Sequence, residues 1–597
     1  MLSVFDEIEF EINLSDEEIE NFSGKTSIFT HEDVLTAEKC VLATGLLGNI
    51  SAWRAEDKAS KHPGGPARYV DDRAILIVLT LLAREHSPLN LTEMGAVLHR
   101  RLTAASRKHL NLPTSLPRKS GGGTEKKNWF NHASNSFHRV LDTMDPHLDT
   151  RGTRNRLLSN AEREEIFSAR DRNTMRRRKE RLDLFSELWL DMTFRMQPRR
   201  LRRLQKTAHL SVDQTPVRAV SQKGTRKDRK TGAALERKVL EIDADWYVKG
   251  EDWIWGFAAN IFVNTAPTPG AKAQVPITIR ALSLSKPNED IPGETVKLAK
   301  QLVDRGHTPG RLTADRGYYA NSNANDLQIP VRQLGFDPVM DFKRDQLGLQ
   351  EGGQNGSIFV EGEHLCPATP RGLVNASKRA LDLEFDEGTY RKLIDERAHY
   401  ALRNKERPDE NGKVKKMCPA YGPQATVECP LREIHPNSSA KSKPRVLKSN
   451  LPAKPAQICC QSSVVFTETV ETAKFAQSLR YGSREWAETY KFDRNSIEGI
   501  NGYIKHSANE ALDSPQRRSV RGLAAQQVFV TMLAVSVNMR KLASFLAEEG
   551  REIIHRVEQR YPVSRRRDRE NIGNYKRKWG PKQSDVIVDG RSEPLRT

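Results

Sequence analysis

The sequence predicts a mixed α/β protein: a sheet-bearing core behind an α-helical, basic N-terminal region. Three observations predict it. Between residues 208 and 343, short segments rich in β-branched and aromatic residues recur, as AHLSVDQTPV, WIWGFAANIFV, VPITIRALSLS, GRLTADRGYY and PVMDFK. The stretches around them place apolar residues at helical spacing. From about 345 to 465 neither period holds, Pro and Gly are frequent, and five of the six cysteines occur there, which marks an insertion.

The elements follow in order. The first 22 residues hold eight acids and no Lys or Arg, so residues 1–72 are expected to be an acidic arm, with HPGGP at 62–66 as a breaker. Residues 73–204 are expected to be a helical, basic, DNA-binding region. Ala74 to Ala83 is a strongly apolar helix. Leu89 to Leu110 mixes apolar residues with Arg100, Arg101, Arg107 and Lys108, a pattern that suits a helix-turn-helix and equally any basic helical hairpin. PRKSGGGTEKK at 117–127 reads as a linker. From Arg151 to Leu182 there are eleven Lys or Arg against five acids, and from Arg195 to Lys206 six against none. Residues 205–344 form the first part of the core: three strands, the helix ETVKLAKQLVDRG with Gly306 as its C-cap, a strand, a weaker helix near 325–334, and a strand. After the insertion at 345–465, residues 466–548 complete the core with helices near 469–480, 494–507 and 519–548. The stretch from Leu523 to Leu546 is the most apolar, but Gln526, Gln527, Thr531, Ser536 and Asn538 interrupt it. It reads as a buried helix rather than a membrane span. Residues 549–597 are a basic tail.

Lys and Arg number 96 against 77 Asp and Glu, a net charge of +19. A chain this basic calls for a polyanionic partner, with nucleic acid foremost. Six cysteines in 597 residues are too few for a disulfide scaffold and suit a reducing compartment. The acidic N-terminus has no basic segment of the kind a secretory signal needs. A cytoplasmic, nucleoid-associated location is therefore expected.

Two aspartates stand at predicted strand ends. In LSVDQTP, Ser211 and Asp213 face away from Leu210 and Val212, with Pro216 expected to close the strand. In RLTADRGYY, Thr313 and Asp315 face away from Leu312 and Ala314. Taken singly, either is also what a turn or cap uses. In KFDRNSIEGINGYIKH, Arg494, Glu498 and Lys505 fall within roughly 40° of one another on a helix, and Ile497, Ile500 and Ile504 form an apolar stripe about 100° away. One face would pack on a sheet while its neighbour presents charge to a cleft. Phosphodiester cleavage with two hard cations needs carboxylates that converge from separate elements, and cations beside them to hold the phosphates.

These motifs together resemble the DDE transposases of bacterial insertion sequences. LSVDQTP is similar to the first-Asp strand of that family and LTADRGYY to the second. Arg494, Glu498 and Lys505 reproduce the spacing of the branch marked by Tyr, Arg, Glu and Lys. Tyr490 departs from it, because three residues separate it from Arg494 where the pattern has two. The resemblance covers about 205–345 and 466–547. It implies an RNase H-like mixed-sheet catalytic core, interrupted by an insertion before the Glu helix. It further implies that Asp213, Asp315 and Glu498 bind two Mg²⁺ ions, with Mn²⁺ as a substitute, and that Arg494, Lys505 and Arg316 hold phosphates. Its activity is metal-dependent cleavage and strand transfer on double-stranded DNA, at terminal repeats and target, by a homodimer with no membrane partner. The segment from Arg218 to Lys238, with eight Lys or Arg against two acids, is expected to be an exposed loop or hairpin over the cleft in which Lys227, Arg229 and Lys230 touch DNA. The alternatives are a catalytically inactive DNA-binding regulator derived from a transposase and a structure-selective nuclease.

Cys366, Cys418, Cys429 and Cys459 or Cys460 share the irregular insertion, in EHLCPA, KMCPAYGPQATVECPLRE and QICCQ. Four thiolates in a loop-rich segment suit a structural Zn²⁺, with His364 and His399 as alternative ligands. The spacing departs from two tight CxxC knuckles, and unliganded thiols are the competing reading.

Overall fold

The computed structural model describes residues 28–57, 68–85, 87–116, 124–153, 156–221, 231, 239–270, 274–407, 409, 412–436 and 443–560. The first 22 residues, the HPGGP breaker, Lys227, Arg229, Lys230 and the tail beyond 560 lie outside the described residues. The chain divides into two compact units, 1–543 and 544–597. Of the second, the described part is the end of one helix.

The described residues of the N-terminal region are mainly helical: α1 (His31–Ala43), α2 (Leu46–Asp57), α3 (Asp72–Arg84), α4 (Leu91–Arg100), α5 (Ala104–His109), α6 (Glu125–Leu141), α7 (Asn160–Ser168), α8 (Arg172–Arg195) and α9 (Arg199–Leu204). Two of these helices occupy part of the stretch expected to be an acidic arm. The starts are written locally. Thr30, Asp71, Asn90, Thr103, Thr124, Ser159 and Asp171 are N-caps whose side chains accept a backbone N–H of the first turn. α3 is buried along nearly its whole length, from Ala74 to Ala83, as its apolar run predicts. Gly95 lets α4 meet α6 closely: a Cβ there would stand 2.8 Å from the Phe130 Cα.

The core sheet is mixed. Its strands are β1 (Thr207–Arg218), β2 (Asp245–Lys249), β3 (Asp252–Asn264), β4 (Ile279–Ser285), β5 (Thr308–Ala314) and β6 (Asp337–Val339). β3 lies antiparallel to β1, β2 and β4, while β5 runs parallel to β1 and β6 parallel to β5. Between β4 and β5 the chain crosses through α10 (Ile291–Asp304). After β5 come the short α11 (Arg316–Tyr319) and α12 (Gln328–Gln333). All five predicted strands are present, and β2 is an addition.

β1 is longer than its motif suggests, and Pro216 does not close it. Ala219 N donates to Trp255 O on β3, so by alternation Pro216 turns its missing N–H away from β3. Pairing with β5 has already ended at Val212, so nothing on that side needs the donor. Asp213 therefore stands mid-strand, at the point where the β5 ladder stops.

One face of the sheet builds the core. Leu210, Val212, Phe262, Ala281, Leu312 and Ala314 pack with Leu298, Ala299 and Leu302 of α10. Each fully buried Leu in this cluster contributes about 1.5–3 kcal/mol. The other face carries Ser211, Asp213, Thr313 and Asp315.

The insertion has its own small core. Besides short helices at Arg371–Val374 and Ala376–Leu381, it holds β7 (Leu349–Gln350), β8 (Ile358–Val360), β9 (Glu363–Leu365), α13 (Glu387–Ala398), β10 (Arg403–Asn404), β11 (Val414–Met417), α14 (Gln457–Cys460) and β12 (Val464–Phe466). The strands form two three-stranded sheets, β7–β9 and β10–β12. The chain then returns to the core through α15 (Val470–Phe475), α16 (Arg484–Lys505) and α17 (Leu523–Arg560).

The polar residues that interrupt α17 are what seat it. Asn538 pairs with both Ile279 N (2.7 Å) and Ile279 O (2.8 Å), and Gln527 accepts from Leu284 N at 3.2 Å. Together they satisfy the outer edge of β4. Thr531 bonds Ser186 of α8, and Ser536 donates to Ala83 O of α3. Among the described residues only this helix is long and apolar enough to cross a membrane, and most of that stretch is buried in the protein.

Candidate active site

The register of β1 against β5 places the two aspartates side by side. Val212 pairs with Ala314 in a parallel ladder, so the next residues, Asp213 and Asp315, leave adjacent strands about 4.8 Å apart on the same face. Asp213 Oδ1 accepts its neighbour's N–H, from Gln214 at 2.9 Å. Asp315 also does what a strand-end Asp commonly does: it caps α11, accepting Tyr318 N at 3.2 Å.

α16 covers this face. Ser483 caps it, so it starts at Arg484, ten residues before the start its pattern predicts. Ile497, Ile500 and Ile504 are buried, as the apolar stripe requires. Two further residues on that stripe are polar and dock the helix. Asp493, fully buried, accepts from Thr313 Oγ1 at 2.8 Å and lies 3.4 Å from Arg311 Nε on β5. Asn501 Nδ2 donates to Asp213 Oδ2 at 2.9 Å. The helix is thus tied to β5 before Glu498 and to β1 after it.

On its adjacent face α16 opens a cleft of about 490 Å³, lined by Asp315, Arg316, Gly317, Tyr490, Lys491, Arg494, Asn495 and Glu498. The Glu498 side chain is 60% exposed and receives Arg494 Nη2 at 3.2 Å, while Arg494 itself is 14% exposed. Arg494 Nη1 is buried and has no hydrogen-bond partner among the described residues. Arg316 is held by Asp341 at 2.6 Å, whose other oxygen accepts the Tyr481 hydroxyl. Tyr490 lines the cleft despite its offset spacing and stacks on Trp486, 5.3 Å between ring centres. Asp213 is reached through Asn501 rather than lining the cleft. Lys505 stands two turns beyond Glu498, roughly 10 Å along the helix, and is not among the lining residues.

Two tyrosines report the shared negative charge. Burial, and then Asp213 and Asp315, push the Tyr247 hydroxyl up to about 12 and the Tyr318 hydroxyl well above its ordinary value. The Tyr318 hydroxyl is buried without a hydrogen-bond partner among the described residues. Burial is also the main reason the Asp493 carboxyl titrates above the usual range.

Hard carboxylate oxygens beside an unpartnered hydroxyl and an unpartnered guanidinium nitrogen fit a divalent ion with a phosphate. Among the described residues, no three His, Cys, Asp or Glu side chains stand as a finished metal site. No family model, curated protein or solved structure matches this chain.

Asp493, Asn501, Tyr247 and Tyr318 are the residues that sequence reasoning missed. For the first two there was a signal: each is a polar residue on the apolar stripe of an amphipathic helix, where it must find a buried partner.

Proposed function

We propose that this chain is a DDE-type transposase with an RNase H-like core, which cuts DNA phosphodiesters at the ends of a mobile element and joins the 3′-hydroxyls to target DNA. The observation that carries the reading is the pairing of Val212 with Ala314. It puts two aspartates from distant motifs on neighbouring strands, under a helix that bonds Asp213 through Asn501 and presents Glu498 to the cleft that Asp315 lines. An antiparallel β1–β3–β4 run continued by parallel β5 and β6 supports the RNase H-like assignment.

In this reading Asp213, Asp315 and Glu498 hold Mg²⁺ or Mn²⁺, which when bound activates the attacking water or 3′-hydroxyl and stabilises the leaving oxygen. Arg494 binds a phosphate oxygen through Nη1, with Glu498 orienting its other nitrogen. Arg316, exposed at the mouth, steers the backbone, and Lys505 holds DNA further along the helix. Tyr490 and Trp486 form a flat wall against which the strand lies. The basic helices α8 and α9 bind the flanking duplex in a homodimer.

The test uses a plasmid carrying the gene with its native flanking DNA. The purified chain with Mg²⁺ should release 3′-hydroxyl ends and join them to a target. Asp213→Asn, Asp315→Asn and Glu498→Gln should each lower cleavage by about 10³-fold or more, with DNA affinity within about twofold of wild type. Cleavage without joining would point to a nuclease, and binding without cleavage to a regulator. A Glu498→Gln chain that still cuts would remove the assignment.

A further inference from the structure

Four of the five cysteines of the insertion come together. Cys366, Cys418 and Cys459 are buried in its core, and Cys429 packs against them. Every pair among the four lies close enough to interact electrostatically. Three of them open the same local structure, a Cys-Pro turn in which the third residue on donates back to the cysteine carbonyl. These bonds are Thr369 N to Cys366 O (3.0 Å), Tyr421 N to Cys418 O (3.1 Å) and Arg432 N to Cys429 O (3.0 Å). Proline at the second position presets such a turn.

Within these turns the backbone is aimed at sulfur. The Ala368 N–H lies near the Cys366 sulfur and the Ala420 N–H near that of Cys418, and outside the turns the Ala456 N–H lies near Cys459. The guanidinium of Arg432 is near Cys418 and Cys459, and that of Arg403 near Cys418. Donors and cations gathered on sulfur suit thiolates. In this structure the four pack like small apolar groups rather than at ligand spacing. A soft divalent cation would hold four such clustered sulfurs at once.

We propose that Cys366, Cys418, Cys429 and Cys459 form a structural zinc site that holds the insertion together. The strands around them are two to four residues long, too short to close a core alone. The other candidates fall outside. Cys460 is exposed. Cys40 belongs to α1. His364 is held between the rings of Phe359 and Phe466, with its Nδ1 3.1 Å from Ser357 Oγ. Of the adjacent pair, Cys459 is therefore the ligand.

The test reads metal content and is independent of any activity on DNA. The full chain, purified without chelator, should carry about one Zn²⁺ per molecule. Chelator-stripped chain titrated with Co²⁺ should develop thiolate-to-cobalt charge transfer and the visible bands of a tetrahedral sulfur site. Cys366→Ser, Cys418→Ser, Cys429→Ser and Cys459→Ser should each bring zinc close to zero, while Cys460→Ser and Cys40→Ser keep it at about one. If a ligand variant does not fold, the cobalt titration of the unaltered chain decides alone. A folded, zinc-free chain with freely reactive thiols, a cobalt spectrum without thiolate bands, or equal loss in Cys460→Ser and Cys459→Ser would overturn the proposal.

Discussion

Asp213 has an oxygen held by an amide from another element, and that bond sets its orientation. Asn501 is a positioning residue in the proposed reaction: it donates to Asp213 Oδ2 at 2.9 Å and fixes the carboxylate rotamer, as partners of metal ligands do. Asn501→Ala should lower single-turnover cleavage by about 10–100-fold and raise the Mg²⁺ concentration at half-maximal rate, with DNA affinity unchanged. Asn501→Asp should be worse, because it sets a second negative charge against Asp213 and removes the donor. A wild-type Mg²⁺ dependence in both variants would rule this role out.

At the scale of elements, buried polar side chains join what the chain separates. Asp243, just before β2, meets Arg170 Nη2 at 2.7 Å and His147 Nδ1 at 3.2 Å, with only 2% of its side chain exposed. Burial alone would raise its carboxyl, but the His147 contact and the Arg170 charge outweigh burial and hold it down at about 2. Its folded value is depressed, so its contribution is complete above the unfolded value of about 3.9 and is lost as pH falls toward 2, worth about 2–3 kcal/mol. Asp243→Asn should flatten the stability profile between about pH 4 and 2 in denaturant titrations. At neutral pH it should destabilise the helical region by about 3 kcal/mol, since Arg170 stays buried with Asp149 as its remaining acid. An unchanged acid limb would show that the clamp contributes nothing.

For the whole molecule, the net charge of +19 means that the proposed binding to DNA would be a matter of counterion release. Log affinity should fall linearly with log salt. Replacing Lys227, Arg229 and Lys230 by Ala should flatten that slope by about 0.9 for each phosphate no longer neutralised, near 2.7 in all. Affinity measured from low to moderate salt checks this, and an unchanged slope would mean the segment is merely solvated.

The sequence by itself determined the kinds of element and their faces, because period 2 and period 3.6 are written in neighbouring residues. The strands around Asp213 and Asp315, the apolar stripe of Ile497, Ile500 and Ile504, and the buried run of α3 are all legible that way. Limits of elements were less so. α16 begins at Arg484 because Ser483 can cap it, and β1 runs through Pro216 because its N–H would have faced no partner. Tertiary structure decided what meets what. The polar breaks in α17 look like flaws in a helix until the bare edge of β4 lies beside Asn538 and Gln527. Asp493 and Asn501 become docking residues only when β5 and β1 lie beneath them. Register, unlike period, depends on how remote segments pack, and a one-residue slip between β1 and β5 would turn the aspartates to opposite faces.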